Sequence, residues 1–169
     1  MSAAHHHQMH TLTQKLDSCE LCQFMDWPNK NIPRVCAGVY SIYDANGKFL
    51  YVGMAGASLT KDKVDTLMKI PGRKSGLLDR LGAHASGYRS GDRFNIYICD
   101  LFVLSTLTKE QIHGISQKKL SLDSINKQYI RQELSYKYLV TENALVRNLE
   151  THIKANGING IRPSINPSL

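Results

Sequence analysis

Residues 35–53, VCAGVYSIYDANGKFLYVG, contain two runs of apolar, β-branched and aromatic residues separated by Asp44-Ala45-Asn46-Gly47. Asn-Gly supplies the positive φ angles that a tight turn between paired strands requires. The pattern therefore predicts a β-hairpin, with strands at roughly 37–44 and 48–53.

A helix is predicted downstream of the hairpin. Residues 75–86, SGLLDRLGAHAS, have leucines at helical spacing and begin with Ser75, a suitable N-cap. Arg80 and His84 are four positions apart, so they share one face of this helix. Residues 94–104, FNIYICDLFVL, are apolar and β-rich enough to predict a third strand, buried on both faces.

The C-terminal part adds helices and one further candidate strand. Thr108 is expected to cap a helix over Thr108–Lys119, and 134–140, LSYKYLV, is the candidate strand. Residues Thr141–Ala155, TENALVRNLETHIKA, have one apolar stripe, with Thr141 as the cap and Gly157 as the stop. The order of elements predicts an α/β (α+β) sandwich, in which helices flank a central, mainly antiparallel three-stranded sheet.

The segments around this pattern are polar or basic. Residues 1–35 include MSAAHHHQMH and the Pro-interrupted DWPNKNIPRV, and predict an irregular N-terminal extension over a core that starts after it. A single domain would then cover 36–169, with insertions at about 54–74 and 105–133. The first insertion carries four Lys and one Arg, so we interpret it as a basic excursion from the hairpin.

Composition limits the class of protein. The 169 residues, 42% of them apolar, suit one globular domain. The 21 Lys and Arg against 14 Asp and Glu give a net charge of +7, as expected of a protein that meets phosphate backbone. Without an apolar run of about 18 residues or a signal peptide, the chain is expected to be intracellular and cytoplasmic, with no membrane partner.

The cysteines leave two interpretations open. An intracellular location favours free thiols over a disulfide framework. However, Cys19-Glu-Leu-Cys22 supplies half of a zinc ligand set, which Cys36 and His10 could complete. Cys99 lies in the apolar segment YICDLF and is expected in the core.

Several motifs occur in an order that resembles the GIY-YIG nuclease superfamily over residues 36–166. They are Gly38-Val39-Tyr40, Tyr51-Val52-Gly53, Arg80 in a helix, Glu150 within LVRNLETHI, and Asn166 shortly after Arg162-Pro163. His84, four positions after Arg80, resembles the small stand-alone type II restriction endonucleases of that superfamily.

The resemblance implies a metal-dependent DNA endonuclease that leaves 5′-phosphate and 3′-hydroxyl ends. Tyr51 or Tyr40 would take the proton of the attacking water when nearby cations lower its phenol pKa. Arg80 would bind a phosphate oxygen, and Glu150 would bind Mg²⁺, with Mn²⁺ able to substitute. His84 would orient the tyrosine or the water, and Asn166 would hydrogen-bond the backbone of the site.

One position departs from the family pattern. Many members carry a Lys directly after YIG, where this chain has Met54. Lys61, Lys63, Lys74 or His84 could replace it, so the identity of the base stays open. The candidates for DNA contact are the basic residues Lys61, Lys63, Arg73, Lys74, Arg89 and Arg93.

The leading functional prediction is a site-specific type II restriction enzyme. It would cut double-stranded DNA as a homodimer, with a cognate DNA methyltransferase acting on the same site as a further partner. One alternative is a phage, mobile-element or repair nuclease that nicks DNA. A second alternative is a non-catalytic nucleic-acid-binding module that keeps the scaffold.

Overall fold

A computed structural model describes residues 3–166 and places them in an α+β fold that is 50% helical and 17% strand. The predicted extension and domain also include residues 1, 2 and 167–169, which lie outside the described range. No helix within 3–166 is long and apolar enough to cross a membrane.

The first half of the chain contains α1 (Ala3–Ser18), β1 (Cys22–Gln23), a 3-10 turn (Phe24–Asp26), β2 (Val35–Cys36), β3 (Gly38–Tyr43), β4 (Phe49–Ala55), α2 (Lys61–Met68), β5 (Ser75–Gly76) and α3 (Leu77–Ser86). The second half contains α4 (Arg93–Ile98), a π-helical turn (Cys99–Val103), a 3-10 turn (Leu104–Thr106), α5 (Lys109–Ser116), α6 (Leu122–Glu133), β6 (Ser135–Val140) and α7 (Val146–Asn156).

The main sheet has the strand order β1-β6-β3-β4, and every pairing in it is antiparallel. The hairpin prediction is confirmed by β3 and β4, in which Tyr40 pairs with Gly53. Asp44 stabilises the turn, because its side chain accepts hydrogen bonds from the backbone N–H groups of Asn46 and Lys48, each at 2.9 Å. The three long strands are thus β3, β4 and β6, with two-residue β1 at one edge.

Apolar residues cover both faces of the sheet. On one face Leu77 and Leu81 of α3, Phe94 of α4 and Ile130 of α6 pack in a core that includes Tyr40. On the other face residues of α1 and α7 pack against Val39 and Val52. The sheet is therefore enclosed between two helical layers, and β3 and β4 contact α3 on one side and α7 on the other.

The prediction of a strand at 94–104 is wrong, because this segment is helical throughout. Its buried residues, at 94, 95, 98, 99 and 103, follow a helical repeat, whereas Leu101 and Leu104 are 56% and 46% exposed. The continuous apolar run resembled a buried strand only because these exposed positions are also apolar. The third long strand is β6, where the sequence predicts a further candidate strand.

The expectation that the core starts after residue 35 is also wrong. Met9 and Leu16 of α1 are buried in the core shared with α7. The 16-residue helix carries few apolar residues among His, Thr and Gln, so its periodicity is weak in sequence. The Pro-interrupted segment after it has no helix between Trp27 and Arg34, as predicted.

The predicted helix caps differ in outcome. Thr108 caps α5 in a capping box with Gln111, and Gly157 ends α7 with a φ of 80°, as expected. Ser75 is not a cap but pairs with Val35 in a short parallel ladder. Thr141 lies before a turn, and α7 begins only at Val146.

Candidate active site

Gly38 and Gly53 of the hairpin leave space for neighbouring groups that a larger residue would displace. A Cβ on Gly38 would overlap the Leu139 carbonyl oxygen and the Leu77 side chain. A Cβ on Gly53 would overlap the phenol group of Tyr40, its partner across the ladder. Glycine at 53 therefore leaves the space in which the Tyr40 phenol lies.

Five of the six predicted catalytic residues line one pocket of about 370 Å³. Tyr40 comes from β3 and Tyr51 from β4, while Arg80 and His84 come from one face of α3 and Glu150 from α7. The wall is completed by Met54, Gly91, Asp92, Arg93 and Phe94. Residues far apart in sequence thus meet where β3 and β4 pass between α3 and α7.

A buried chain of hydrogen bonds runs from the pocket into the protein. The Tyr40 hydroxyl lies 2.7 Å from His84 Nε2, and His84 Nδ1 lies 2.6 Å from Asp92 Oδ2. The three residues are only 1%, 1% and 6% exposed. Both hydrogen bonds are therefore shielded from bulk solvent, although the three residues line the wall of the pocket.

Burial and hydrogen bonding set the charge states of His84 and Asp92. Burial lowers the pKa of His84, although the hydrogen bond that His84 donates to Asp92 opposes the shift. Burial alone would raise the pKa of Asp92, but the hydrogen bonds from His84 and from the Phe94 N–H leave it below its usual value. At neutral pH the pair is a neutral imidazole beside a carboxylate.

The folded protein raises the pKa values of Tyr40 and Tyr51. The mechanism expected from the sequence requires these values to be lowered. Burial raises the pKa of Tyr51 to about 12, and the negative charges of Glu150 and Asp92 add to the effect. Burial also raises the pKa of Tyr40, and the positive charge of Arg80 offsets this only in part. Both side chains are neutral phenols, so neither is a standing base.

Arg80 presents a cation at the mouth of the site. Its side chain is exposed, and no ion pair among the described residues engages it. It lines the main pocket and also an adjoining pocket of about 270 Å³, together with Gly56, Gly76 and Asp79. A guanidinium in this position is available to bind an anion in the main pocket.

Glu150 provides the carboxylate of the pocket. Its side chain is largely buried, and its Oε1 forms an ion pair with Lys154 Nζ at 3.1 Å. Lys154 lies one turn later on α7. One carboxylate suits a hard cation that takes its remaining ligands from water and substrate oxygens. Within residues 3–166, no three His, Cys, Asp or Glu side chains are grouped to hold a metal ion.

Asn166 does not line the pocket and instead binds the backbone of β4. Its side-chain oxygen accepts from Val52 N at 2.7 Å, and its amide donates to Val52 O at 2.8 Å. Ile165 and Ser164 add backbone hydrogen bonds to Leu50 and Phe49. The C-terminal tail thereby pairs with the free edge of β4 and fixes the strand that carries Tyr51.

The predicted DNA-contact residues fall into different settings. Arg93 lines the main pocket, whereas the Arg89 guanidinium is already bound to Asp123 at 2.6 Å. The other four are exposed on α2 or between α2 and β5, namely Lys61, Lys63, Arg73 and Lys74. The cysteines have free thiols, and Cys99 is buried in the core as predicted.

Asp92 is the pocket residue that the sequence pattern did not indicate. It is the N-cap of α4, where its side chain accepts from Phe94 N at 3.0 Å. An Asp just before an apolar run is a helix-start signal, but the run itself resembles a strand. An interpretation of 94–104 as helix would have drawn attention to Asp92.

The pocket thus combines a neutral imidazole that can accept a proton, a guanidinium that can bind an anion and a carboxylate that can bind a cation. These three capacities face one another across a space large enough for a phosphate group. Comparison with protein-family models, with curated proteins and with solved structures finds no match for this chain.

Proposed function

We propose that this chain is a metal-dependent DNA endonuclease of the GIY-YIG superfamily. One observation carries the proposal: Tyr40, Tyr51, Arg80, His84 and Glu150, the residues of the sequence motifs, line the same pocket. Hydrolysis of a phosphodiester needs a route for the proton of the attacking water and positive charge beside the phosphate oxygens. The five side chains supply both.

Arg80 and Tyr51 bind and orient the scissile phosphate. The guanidinium offers a fork of donors that matches two phosphate oxygens, and its exposure leaves it accessible to the backbone of a DNA strand. Tyr51 stays protonated, because its pKa is raised to about 12, so its hydroxyl donates a hydrogen bond to the phosphate.

Tyr40 and His84 remove the proton of the water. The Tyr40 oxygen takes this proton as its own passes to His84 Nε2, 2.7 Å away. A relay of this kind needs no ionised tyrosine in the resting protein, which agrees with the raised pKa of Tyr40. The Lys that follows YIG in many family members is then not required, and Met54 can occupy its place.

Glu150 is the proposed ligand of Mg²⁺ or Mn²⁺. The carboxylate faces the pocket, and its ion pair with Lys154 leaves Oε2 available to a cation. Such an ion would supply positive charge to stabilise the negative charge that develops as the bond breaks. Lys154 balances the charge of the carboxylate and would compete with the ion for it.

The proposed substrate is double-stranded DNA. The net charge of +7 and the exposed cations around α2 suit a duplex backbone. One pocket cuts one strand, so a type II restriction enzyme would act as a homodimer on a two-fold symmetric site, beside a methyltransferase that protects the same site.

The test is incubation of purified protein with unmethylated phage DNA and Mg²⁺, followed by gel electrophoresis. Glu150→Ala and EDTA should each abolish cleavage, whereas Glu133→Ala, at an exposed end of α6, should cleave as the wild type does. Discrete fragments would support restriction, and nicked circles would favour the repair or mobile-element alternative. DNA binding without cleavage under any condition would reject the nuclease.

A further inference from the structure

Asp92 lines the pocket, but both of its carboxylate oxygens are already engaged, one by His84 and the other by the Phe94 N–H, so it acts on the site through His84. We propose that Asp92 is a positioning residue, which holds His84 as the Nδ1–H tautomer so that the lone pair on Nε2 faces the Tyr40 hydroxyl. This inference rests on the proposed nuclease function and adds a sixth side chain to its machinery.

The donors and acceptors of Asp92, His84 and Tyr40 fix the direction of the two hydrogen bonds between them. An ionised carboxylate can only accept, so Nδ1, at 2.6 Å from Asp92 Oδ2, must carry the hydrogen. A neutral imidazole has one hydrogen, so Nε2 is then an acceptor. The Tyr40 hydroxyl, at 2.7 Å from Nε2, must donate to it.

The carboxylate is fixed at both of its oxygens. Oδ1 accepts the Phe94 N–H at 3.0 Å as the cap of α4, and Oδ2 accepts from His84. The Phe94 ring packs on the imidazole, with 4.5 Å between ring centroids. The start of α4 therefore holds both the carboxylate and the plane of the ring.

The direction of the hydrogen bonds decides whether the relay works. In the opposite tautomer Nε2–H would donate to Tyr40, and His84 could not take the phenol proton. Arg80, the other charged group that affects His84, opposes its protonation. Asp92 is therefore the group that stabilises the imidazolium once the proton has moved.

In the proposed hydrolysis, the attacking water loses one proton and a proton is held on His84 in its place. The water oxygen forms a bond to phosphorus as its proton moves to the Tyr40 oxygen and the Tyr40 proton moves to His84 Nε2. The bond from phosphorus to the 3′ oxygen breaks, and that oxygen takes a proton from solvent water. His84 then returns its proton to solvent through Tyr40, which restores the neutral phenol and imidazole.

The first test is independent of DNA cleavage. In protein labelled with ¹⁵N-histidine, two-bond proton–nitrogen correlation spectra distinguish the ring nitrogen that carries hydrogen from the one that does not. His84 is assigned by the signals that disappear in His84→Gln. We expect hydrogen on Nδ1 and a bare Nε2 at neutral pH; hydrogen on Nε2, or on both nitrogens, would overturn the inference.

Asp92→Asn separates positioning from folding. Asn keeps the capping oxygen for Phe94 N–H, but turns an amide donor toward His84 and so favours the opposite tautomer. We expect the ¹⁵N signals to switch and kcat for DNA cleavage to fall by about 10²-fold to 10⁴-fold, with KM unchanged. Asp100→Asn, the same change of charge at an exposed position, should alter neither.

The outcomes are distinguishable from failure of the nuclease itself. A purely structural role for Asp92 would lower thermal stability and kcat without changing the tautomer in the folded fraction, and would reject the inference. The Nδ1–H tautomer in a wild-type chain that cleaves no DNA would reject the nuclease and leave the tautomer assignment standing. Should Asp92→Asn fail to fold, the wild-type spectrum alone still decides the tautomer.

Discussion

Gly53→Ala should disable the site while leaving the fold in place. The added methyl carbon would lie 2.5 Å from Tyr40 Cζ and 3.0 Å from Tyr51 Cε1. Carbon atoms in contact are normally about 3.5–4.0 Å apart. The phenol of Tyr40 must therefore retreat by about 1 Å, since the backbone of β4 is fixed by its pairing with β3.

The expected size of the effect follows from the geometry. A displacement of about 1 Å disrupts the geometry of the 2.7 Å contact between the Tyr40 hydroxyl and His84 Nε2. Misplacement on this scale lowers kcat by about 10²-fold. Overpacking of the surrounding core should lower the free energy of unfolding by about 1–3 kcal/mol, which leaves a folded protein.

Single-turnover cleavage of duplex DNA at saturating enzyme measures the rate, and urea unfolding measures the stability. Gly82→Ala on α3 is the matched control, because its nearest atom would be Trp27 Cζ2 at 3.4 Å, an ordinary contact. The control should keep its rate and gain about 0.5–1 kcal/mol of stability. A wild-type rate in Gly53→Ala would refute the placement of Tyr40 in the proton relay.

Three further predictions concern Glu150, the tail and acid stability. Lys154→Met removes the ion pair to Glu150 Oε1 and should lower the Mg²⁺ concentration for half-maximal cleavage about 2-fold to 5-fold. An unchanged Mg²⁺ concentration would show that Lys154 does not compete with the ion. Asn166→Ala removes two hydrogen bonds to Val52 and should lower the free energy of unfolding, measured in urea, by about 1–3 kcal/mol. An unchanged free energy of unfolding would show that these hydrogen bonds do not stabilise the fold. The pKa of His84 is lowered from 6.5 in the folded state, so at acidic pH the unfolded chain binds more protons than the folded one. The free energy of unfolding should therefore be unaffected by His84 above about pH 6.5 and should decrease as the pH falls below it. Urea unfolding between about pH 7 and pH 5 should show this slope, and His84→Gln should reduce it.

The elements with local signals were predictable from the sequence. The hairpin follows from alternation around Asn46-Gly47, and the start of α5 follows from the capping residue Thr108. Arg80 and His84 share a helix face because four residues are close to one turn. Glu150 could be placed on a helix, but its meeting with Tyr51 depends on how α7 packs on the sheet.

The features that sequence did not predict depend on tertiary structure. The segment 94–104 is apolar on both its buried and its exposed faces, which hides the helical repeat. Helix α1 carries too few apolar residues to show which face is buried against α7. The raised pKa values of Tyr40 and Tyr51 come from burial by several elements, which no local motif encodes.

The decisive experiment compares single-turnover cleavage of an end-labelled, unmethylated duplex by the wild type, Tyr40→Phe and Glu150→Gln in Mg²⁺. Tyr40→Phe keeps the ring in the core but removes the hydroxyl, and Glu150→Gln keeps the shape but removes the charge. We expect 5′-phosphate and 3′-hydroxyl ends from the wild type, and a rate lower by at least about 10²-fold in each variant. Wild-type rates in both variants would show that any cleavage arises elsewhere and would contradict the assignment of this pocket as a nuclease site.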